Sequence, residues 1–233
     1  SPSNGYRLRL SADGEETLTR ALGKDARKKL RQKSKKLNEL GPVRRQVATT
    51  VEEVDRILAA FYEQKRVRFQ EMGIANPFES ASTQAFLRAA SLAGLEAGRS
   101  AIELHALAIG DRLVATFGAA VDASRCSGMF ISFEQSPDVA RCSPGDLLVA
   151  DVVQFQCRQG RAWFDLGVGE ARYKNSFCNE VEELVDVTVP VTPRGHAYAA
   201  AVSSLLRAKA LVKQTPWLWA AARRLRTSRA KTP

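Results

Sequence analysis

Three short motifs between residues 143 and 177 combine a helix start suited to anions with reactive side chains. The first, Ser143-Pro144-Gly145-Asp146, offers a capping residue, a proline at the first helical position and an acid behind it. Backbone N–H groups at a helix start point towards a ligand, and the helix dipole favours negative charge there. The motif therefore predicts an anion site at the amides of Gly145, Asp146 and Leu147, unless it is simply an ordinary helix cap.

The second and third motifs follow closely. Asp165-Leu166-Gly167-Val168-Gly169 ends a strand, and its glycines let the backbone approach a ligand, with Asp165 either touching the substrate or solvated in a turn. Tyr173 and Lys174 come next. A tyrosine with a pKa near 10 can protonate a departing thiolate with a pKa of about 8.5, and a lysine can stabilise an oxyanion. Alternatively, Tyr173 packs and Lys174 is a solvated cation.

An attacking ammonium or hydroxyl group must also lose a proton. Glu134 ends the strand before the anion motif and is the candidate general base. Glu103 and His105 share one face of a hairpin strand and are the reserve, as acceptor contacts, although a lone strand histidine more often packs. The sequence has no GxSxG motif and no P-loop, so hydrolase and kinase chemistry lack residue support.

Periodicity places these motifs in a chain of mixed helices and strands. Cap-like and acidic residues at 11–16 start a helix that runs to Leu40, a Thr50 capping box opens the next helix, and Phe86, Leu87 and Leu92 face inward from a third. A hairpin and alternating strands and helices follow, with a last strand at 184–191. The pattern alone favours an α/β or α+β fold.

The three motifs together resemble the GNAT-type acyltransferases, in the CelD/BcsL-like branch of cellulose-biosynthesis acetyltransferases, which is related to the FemAB peptidyltransferases. The resemblance is strongest over residues 104–190 and weaker over 24–98. Leu166 stands where the branch has phenylalanine. The resemblance implies an α/β fold with a GNAT-like mixed, splayed β-sheet flanked by helices on both faces, and a cofactor where the strands part.

The resemblance also implies an N- or O-acyltransferase that uses acetyl-CoA or another acyl-CoA as co-substrate and no metal. Glu134 would act as base, and Tyr173 or Lys174 would meet the thiolate. The implied setting is exopolysaccharide or cell-envelope biosynthesis, with a small-molecule or glycan acceptor. A non-catalytic scaffold of the same fold and a FemAB-like transferase using aminoacyl-tRNA are the alternatives. The residues implied to hold the cofactor are Ser143, Gly145, Asp146, Leu147, Gly167 and Gly169.

Cysteine usage and charge distribution bear on three further questions: a metal site, the redox compartment and nucleic-acid binding. The four cysteines form no CxxC pair and have no metal-type spacing with the two histidines, which suits buried thiols in a reducing compartment. The net charge of +10 is concentrated in two segments. Residues 24–36 contain eight Lys/Arg and one acid, and residues 197–233 contain eight Lys/Arg and no acid. The first block lacks the aromatic residues of a single-strand nucleic-acid binder, so it is either a solvated face or a site for an anionic polymer or headgroup.

We therefore expect an acyltransferase domain over residues 1–196 and a basic helical segment over 197–233. Because branch members carry a preceding GNAT-like half, residues 1–196 would be the C-terminal half of a longer tandem protein. We expect a cytoplasmic location, with peripheral association at the inner face of a membrane, and no nucleic-acid partner.

The C-terminal segment generates the first testable prediction. Trp217 and Trp219 lie about 200° apart on a helix, so only one of them can insert deeply. Each cation near an anionic surface contributes about 1 kcal/mol, and this attraction decays within a Debye length. Sedimentation with acidic vesicles should show weak binding at low salt that is lost at physiological salt. Binding unchanged by high salt, or absent at low salt, would contradict the electrostatic account.

Overall fold

The chain folds around a seven-stranded mixed sheet in a computed structural model that describes residues 3–169, 172–184 and 187–214. In chain order the strands are β1 (Ser3–Arg9), β2 (Val43–Val47), β3 (Ile102–Ile109), β4 (Arg112–Val121), β5 (Arg125–Phe133), β6 (Trp163–Val168) and β7 (Glu180–Leu184). Their order across the sheet is β2-β3-β4-β5-β6-β1-β7. Neighbours in the run from β2 to β5 are antiparallel, as are β1 and β6, whereas β5 and β6 are parallel.

Helices connect the strands, and most begin at recognisable caps. They are α1 (Gly14–Ala21), α2 (Lys24–Glu39), α3 (Val51–Met72), α4 (Ala81–Leu92), α5 (Pro137–Ala140), α6 (Pro144–Arg158), α7 (Arg172–Phe177) and α8 (Pro193–Gln214). The predicted capping box of Thr50 and Glu53 is confirmed at the start of α3. The single helix predicted to run from residues 11–16 to Leu40 is instead two helices, because the backbone is extended at Leu22 and Gly23 while the Leu22 side chain enters the core.

Apolar side chains cover both faces of the sheet. On one face α1, α2 and α6 pack through leucines and valines against β1, β4 and β6. On the other face α3 and α4 pack through Val54, Phe61 and Leu87 against Leu104 and Phe130. Leu87 is buried as predicted, but Phe86 is 60% exposed, because only one side of α4 meets the sheet.

The pairing of β5 with β6 is short, and the two strands then part. Residues 125–127 pair with 163–165, after which β5 continues along β4 while β6 continues along β1. At the parting point β5 carries a bulge: Ala119 lies opposite Gly128 and Gly118 opposite Phe130, so Met129 is the extra residue. The predicted α/β class, with a splayed mixed sheet flanked by helices on both faces, is confirmed.

Contacts divide the chain into one unit of residues 5–182 and a second of residues 1–4 and 183–233. The boundary expected between residues 196 and 197 falls inside α8. The strand predicted at 184–191 is wrong, because β7 ends at Leu184 and described residues 187–191 are not a strand. Val187, Val189 and Val191 alternate but lie exposed, and Pro190 lacks the N–H that a strand ladder needs. Among the described residues, no helix is both long and apolar enough to cross a membrane.

The contrast between two phenylalanines tests the packing of the α3 layer. Phe61 is fully buried against Phe78 and Phe130, whereas Phe86 is exposed. Phe61→Ala should lower the free energy of unfolding by about 3–5 kcal/mol, through lost burial and the cavity left behind. Phe86→Ala should change it by about 0.5 kcal/mol or less. Urea unfolding of the two variants checks this, and equal losses would contradict the packing described.

Candidate functional site

A cavity of about 300 Å³ opens at the start of α6, on the face of the sheet that carries α2. We call it the α6 cavity. Lysines from α2 form one wall, and the first turn of α6 together with Phe133, the last residue of β5, forms the opposite one. Residues from α7 complete the lining. The side chains and backbone that matter here are Lys29, Lys33, Phe133, Ser143, Gly145, Asp146, Ser176 and Phe177.

The start of α6 is held open in an unusual way. Ser143 adopts a left-handed backbone with φ 49° and ψ 59°, and its side chain makes no capping hydrogen bond. Its hydroxyl instead accepts a 2.7 Å hydrogen bond from the Nζ of Lys33. A non-glycine residue in this conformation costs about 1–3 kcal/mol, which is the kind of strain found at functional sites. The ordinary side-chain cap anticipated for Ser143 is therefore absent.

Two amides of the first turn remain for a ligand among the described residues. The amide of Leu147 donates to the carbonyl of Ser143 at 3.3 Å, so the predicted role of Leu147 as an amide donor is not supported. The amides of Gly145 and Asp146 make no such backbone hydrogen bond. A Cβ added at Gly145 would lie 3.3 Å from the Phe133 ring, so glycine allows α6 to begin close against β5.

Lysines of α2 supply positive charge at the start of α6, and the sequence analysis did not predict this role for α2. The Nζ of Lys33 lies 3.4 Å from a carboxylate oxygen of Asp146 and offsets the repulsion that Asp146 would exert on an anion. Lys29, one turn earlier on α2, lines the same cavity. The i, i+4 spacing of these lysines was a signal, but nothing in the sequence showed that they face α6.

A second cavity, of about 210 Å³, lies along β5 where it leaves β6, and we call it the β5 cleft. Its walls include residues 128–131 of β5, Leu166 of β6, Lys65 of α3 and Lys174 of α7. Phe78 and Phe130, which line it, pack with the α3 layer on the face opposite α6. α7 thus contributes residues to both cavities.

Lys174 is a buried amine rather than the solvated cation that was the alternative interpretation. Its side chain is 9% exposed, and its Nζ donates a 2.8 Å hydrogen bond to the carbonyl of Val168. Burial lowers the pKa of Lys174, while the nearby charge of Asp165 acts in the opposite direction. Tyr173 belongs to α7, but its side chain lies outside the described residues.

Asp165 and the two glycines shape the end of β6. Asp165 accepts a 2.6 Å hydrogen bond from the amide of Gly167 and lies 3.6 Å from Arg125. Gly167 and Gly169 have φ of 69° and 96°, a conformation that glycine adopts without strain. None of the three lines either cavity, so their geometry supports a turn that presents α7. Direct contact with cofactor or substrate stays a prediction.

Glu134 lies outside the β5 cleft. Both of its carboxylate oxygens bind the guanidinium of Arg112, which also donates to Ser136 at 3.0 Å. The Arg112 hydrogen bond lowers the pKa of Glu134. Glu134 instead lines a separate cavity of about 360 Å³, together with Gln64 and Glu71. Because a carboxylate held ionised is a weaker base, this geometry argues against Glu134 as the proton acceptor.

Glu103 and His105 are enclosed beneath α6, so their predicted contact with an acceptor is not supported. His105 is fully buried, with its Nε2 2.9 Å from Glu103, and Gln156 of α6 donates to the same carboxylate. Burial opposes ionisation of Glu103, but the His105 and Gln156 hydrogen bonds and the nearby Arg161 leave its pKa below the usual value. The group therefore fixes α6 on the sheet. Within the described residues, no cluster of three His, Cys, Asp or Glu could hold a metal ion.

Comparisons with solved structures place this architecture among known folds. FemX superposes with a TM-score of 0.57 at 8% identity, over 77% of this chain and 59% of FemX. A conserved protein of unknown function from Bacteroides thetaiotaomicron superposes with a TM-score of 0.49 at 13% identity, over 78% of this chain and 57% of that protein. L-PGS from Bacillus licheniformis superposes with a TM-score of 0.39 at 10% identity, over 72% of this chain and 45% of L-PGS. The chain thus spans less than two thirds of each structure. No curated protein matches it.

A family comparison gives a more specific result. The family described as "Acetyltransferase (GNAT) domain" matches residues 24–175, well over half of the chain. The matched region contains α2, both parting strands, the start of α6 and the residues up to Asn175 in α7. The chain therefore belongs to the GNAT acetyltransferase domain family, a family of acyltransferases.

Proposed function

We propose that this protein transfers an acyl group from acyl-CoA, most simply acetyl-CoA, to an amine or hydroxyl of a small-molecule or glycan acceptor. One observation carries the proposal: an anion-suited cavity and a cleft with a buried lysine both lie along β5, near the point where β5 and β6 part. Unpaired backbone between two strands can accommodate an extended thioester arm that joins them.

The pyrophosphate of the co-substrate would lie at the amides of Gly145 and Asp146. Lys29 and Lys33 would add charge from α2, with Lys33 exchanging its contact with Asp146 for one with phosphate. Charge-assisted hydrogen bonds of this kind are about twice as strong as neutral ones. The left-handed turn at Ser143 aims the first turn of α6 into the cavity.

The chemistry would take place in the β5 cleft. The bulge at Met129 leaves a backbone group outside the β4 ladder, where its amide can donate to the thioester carbonyl oxygen. The acceptor nitrogen or oxygen attacks the carbonyl carbon, the C–S bond breaks, and the acceptor proton ends on the thiolate. Lys174, or Tyr173, would stabilise the developing negative charge or deliver that proton.

An acceptor amine in this cleft would not require a carboxylate base. Burial and the neighbouring charges of Lys65 and Lys174 disfavour an ammonium ion, so the acceptor would bind as the neutral amine. This accounts for a cleft lined, among the described residues, by two lysines and no acid.

The branch resemblance extends the proposal to a role in exopolysaccharide or cell-envelope biosynthesis near a membrane surface. Its support is the three motifs, in which Leu166 departs from the branch pattern.

A second candidate function, transfer from aminoacyl-tRNA, is favoured by one observation: α2 carries further cations beside the α6 cavity. Acetyl-CoA that raises the melting temperature supports the first candidate, whereas steeply salt-dependent tRNA binding without an acetyl-CoA effect supports the second.

Gly145→Val tests the cofactor site. The added side chain would crowd Phe133 and the approach to the free amides, so CoA affinity should fall by about tenfold or more, a loss of about 1.4 kcal/mol or more. Isothermal titration measures it, with Gly23→Val as control because nothing lies near the Cβ position of Gly23. Lys33→Met should also weaken binding, whereas exposed Lys35→Met should not. Equal affinity in all variants would contradict the assignment.

Lys174→Met tests the catalytic charge. Losing an oxyanion-stabilising donor typically costs about 2.7–4 kcal/mol, so turnover should fall by about a hundred- to thousand-fold. CoA affinity should change little, and the variant should stay folded although it loses the hydrogen bond to the Val168 carbonyl, which circular dichroism checks. In the wild type, the rate should fall as pH rises and Lys174 loses its proton, at a lower pH than for an exposed lysine, because burial lowers its pKa. A variant that keeps about a third of the wild-type rate would return Lys174 to a structural role.

A further inference from the structure

α3 carries two cations, Lys65 and Arg68, that have no acidic partner among the described residues. Other arginines nearby contact polar partners: on α3, Arg66 binds Glu63 and Arg56 donates to Gln46, and on α4 Arg88 binds Asp55. Like charges three positions apart on a helix repel each other. Lys65 and Arg68 are three positions apart, so their charges repel each other, and the described residues provide no ion pair within 4.0 Å for either of them.

Lys65 is held at the wall of the β5 cleft. Its Nζ lies 5.5 Å from the ring centroid of Phe78 and 5.8 Å from those of Phe61 and Phe69. Aromatic faces attract a cation and restrict where it can go. Burial, and to a lesser extent the charge of Arg68, lowers the pKa of Lys65. The amine is thus removed from bulk water before any ligand arrives.

Arg68 lies at the end of β5. Its guanidinium carbon is 5.8 Å from the ring centroid of Phe133, which also lines the α6 cavity. Arg68 is exposed, so its planar fork of donors is available to a ligand. Lys65 therefore lines the β5 cleft, and Arg68, three residues further along α3, lies beside Phe133 at the end of β5.

We infer that Lys65 and Arg68 recognise an anionic group, carboxylate or phosphate, carried by the acceptor at a distance from the amine or hydroxyl that is acylated. The inference rests on the proposed function, whose acceptor it narrows to an acidic compound. Lys65 meets the anion in the cleft, and Arg68 adds positive charge beside Lys65, towards the end of β5. A cationic acceptor without an acid would be repelled by the same residues.

Product-like ligands test this without an acyl donor. The probes are N-acetyl-ω-amino acids of increasing chain length, each compared with its neutral carboxamide and with its phosphonate. Titration calorimetry should show at least one acid binding about tenfold more tightly than its carboxamide, the scale expected for a charge-assisted hydrogen bond. Amide resonances of residues 128–131 should shift on binding. The phosphonate arm separates phosphate from carboxylate recognition.

Single substitutions test which residues cause the preference for the acid over its carboxamide. Lys65→Met and, independently, the exposed Arg68→Met should reduce the preference for acid over carboxamide, whereas Arg66→Met, whose charge is already paired, should retain it. The inference is overturned if no acid in the wild type is preferred over its carboxamide, or if both variants keep the full preference. Failure of acetyl-CoA binding would remove the proposed function yet leave this binding result readable, so the two failures are distinguishable.

Discussion

Parallel strands β5 and β6 pair over three residues and then separate, so the backbone groups beyond that point need partners other than a strand. The chain supplies some of them itself. The carboxylate of Asp165 accepts from the amide of Gly167, and the buried amine of Lys174 donates to the carbonyl of Val168. The start of α6 packs against Phe133 at the end of β5, and Lys174 lines a cleft along the same strand. The two cavities of the protein's candidate site therefore both border β5.

The buried polar groups on the two faces of the sheet differ in charge. On the α6 side, Glu103 is satisfied by His105, Gln156 and Arg161, and this closed group anchors the helix whose first turn faces the α6 cavity. On the α3 side, Gln64 donates to the Leu113 carbonyl and accepts from Ser132, a neutral chain with no charge to spare. These hydrogen-bonded groups hold α6 and α3 on the sheet, whereas Lys33, Lys65 and Lys174 lie in the walls of the two cavities.

Local signals in the sequence predicted the elements of the site well. The helix starting at Pro144, the capping box at Thr50 and the turn after Asp165 all depend on residues within a few positions of one another, and all three are confirmed. Long-range contacts could not be read in this way. Lys33 reaches Ser143 from 110 positions away, and Arg112 holds Glu134 from 22 away. The strand predicted at 184–191 shows a related limit, because alternation alone does not supply a surface to pack on.

In the described part of the chain, the short helix α7 borders both cavities, the β5 cleft through Lys174 and the α6 cavity through Ser176 and Phe177. Donor and acceptor would therefore share a wall six residues long. Any adjustment of α7 that improves the fit of one ligand changes the fit of the other, and thermodynamic linkage makes the effect reciprocal. If both substrates bind as proposed, the position of this short helix would couple their affinities and favour one order of addition.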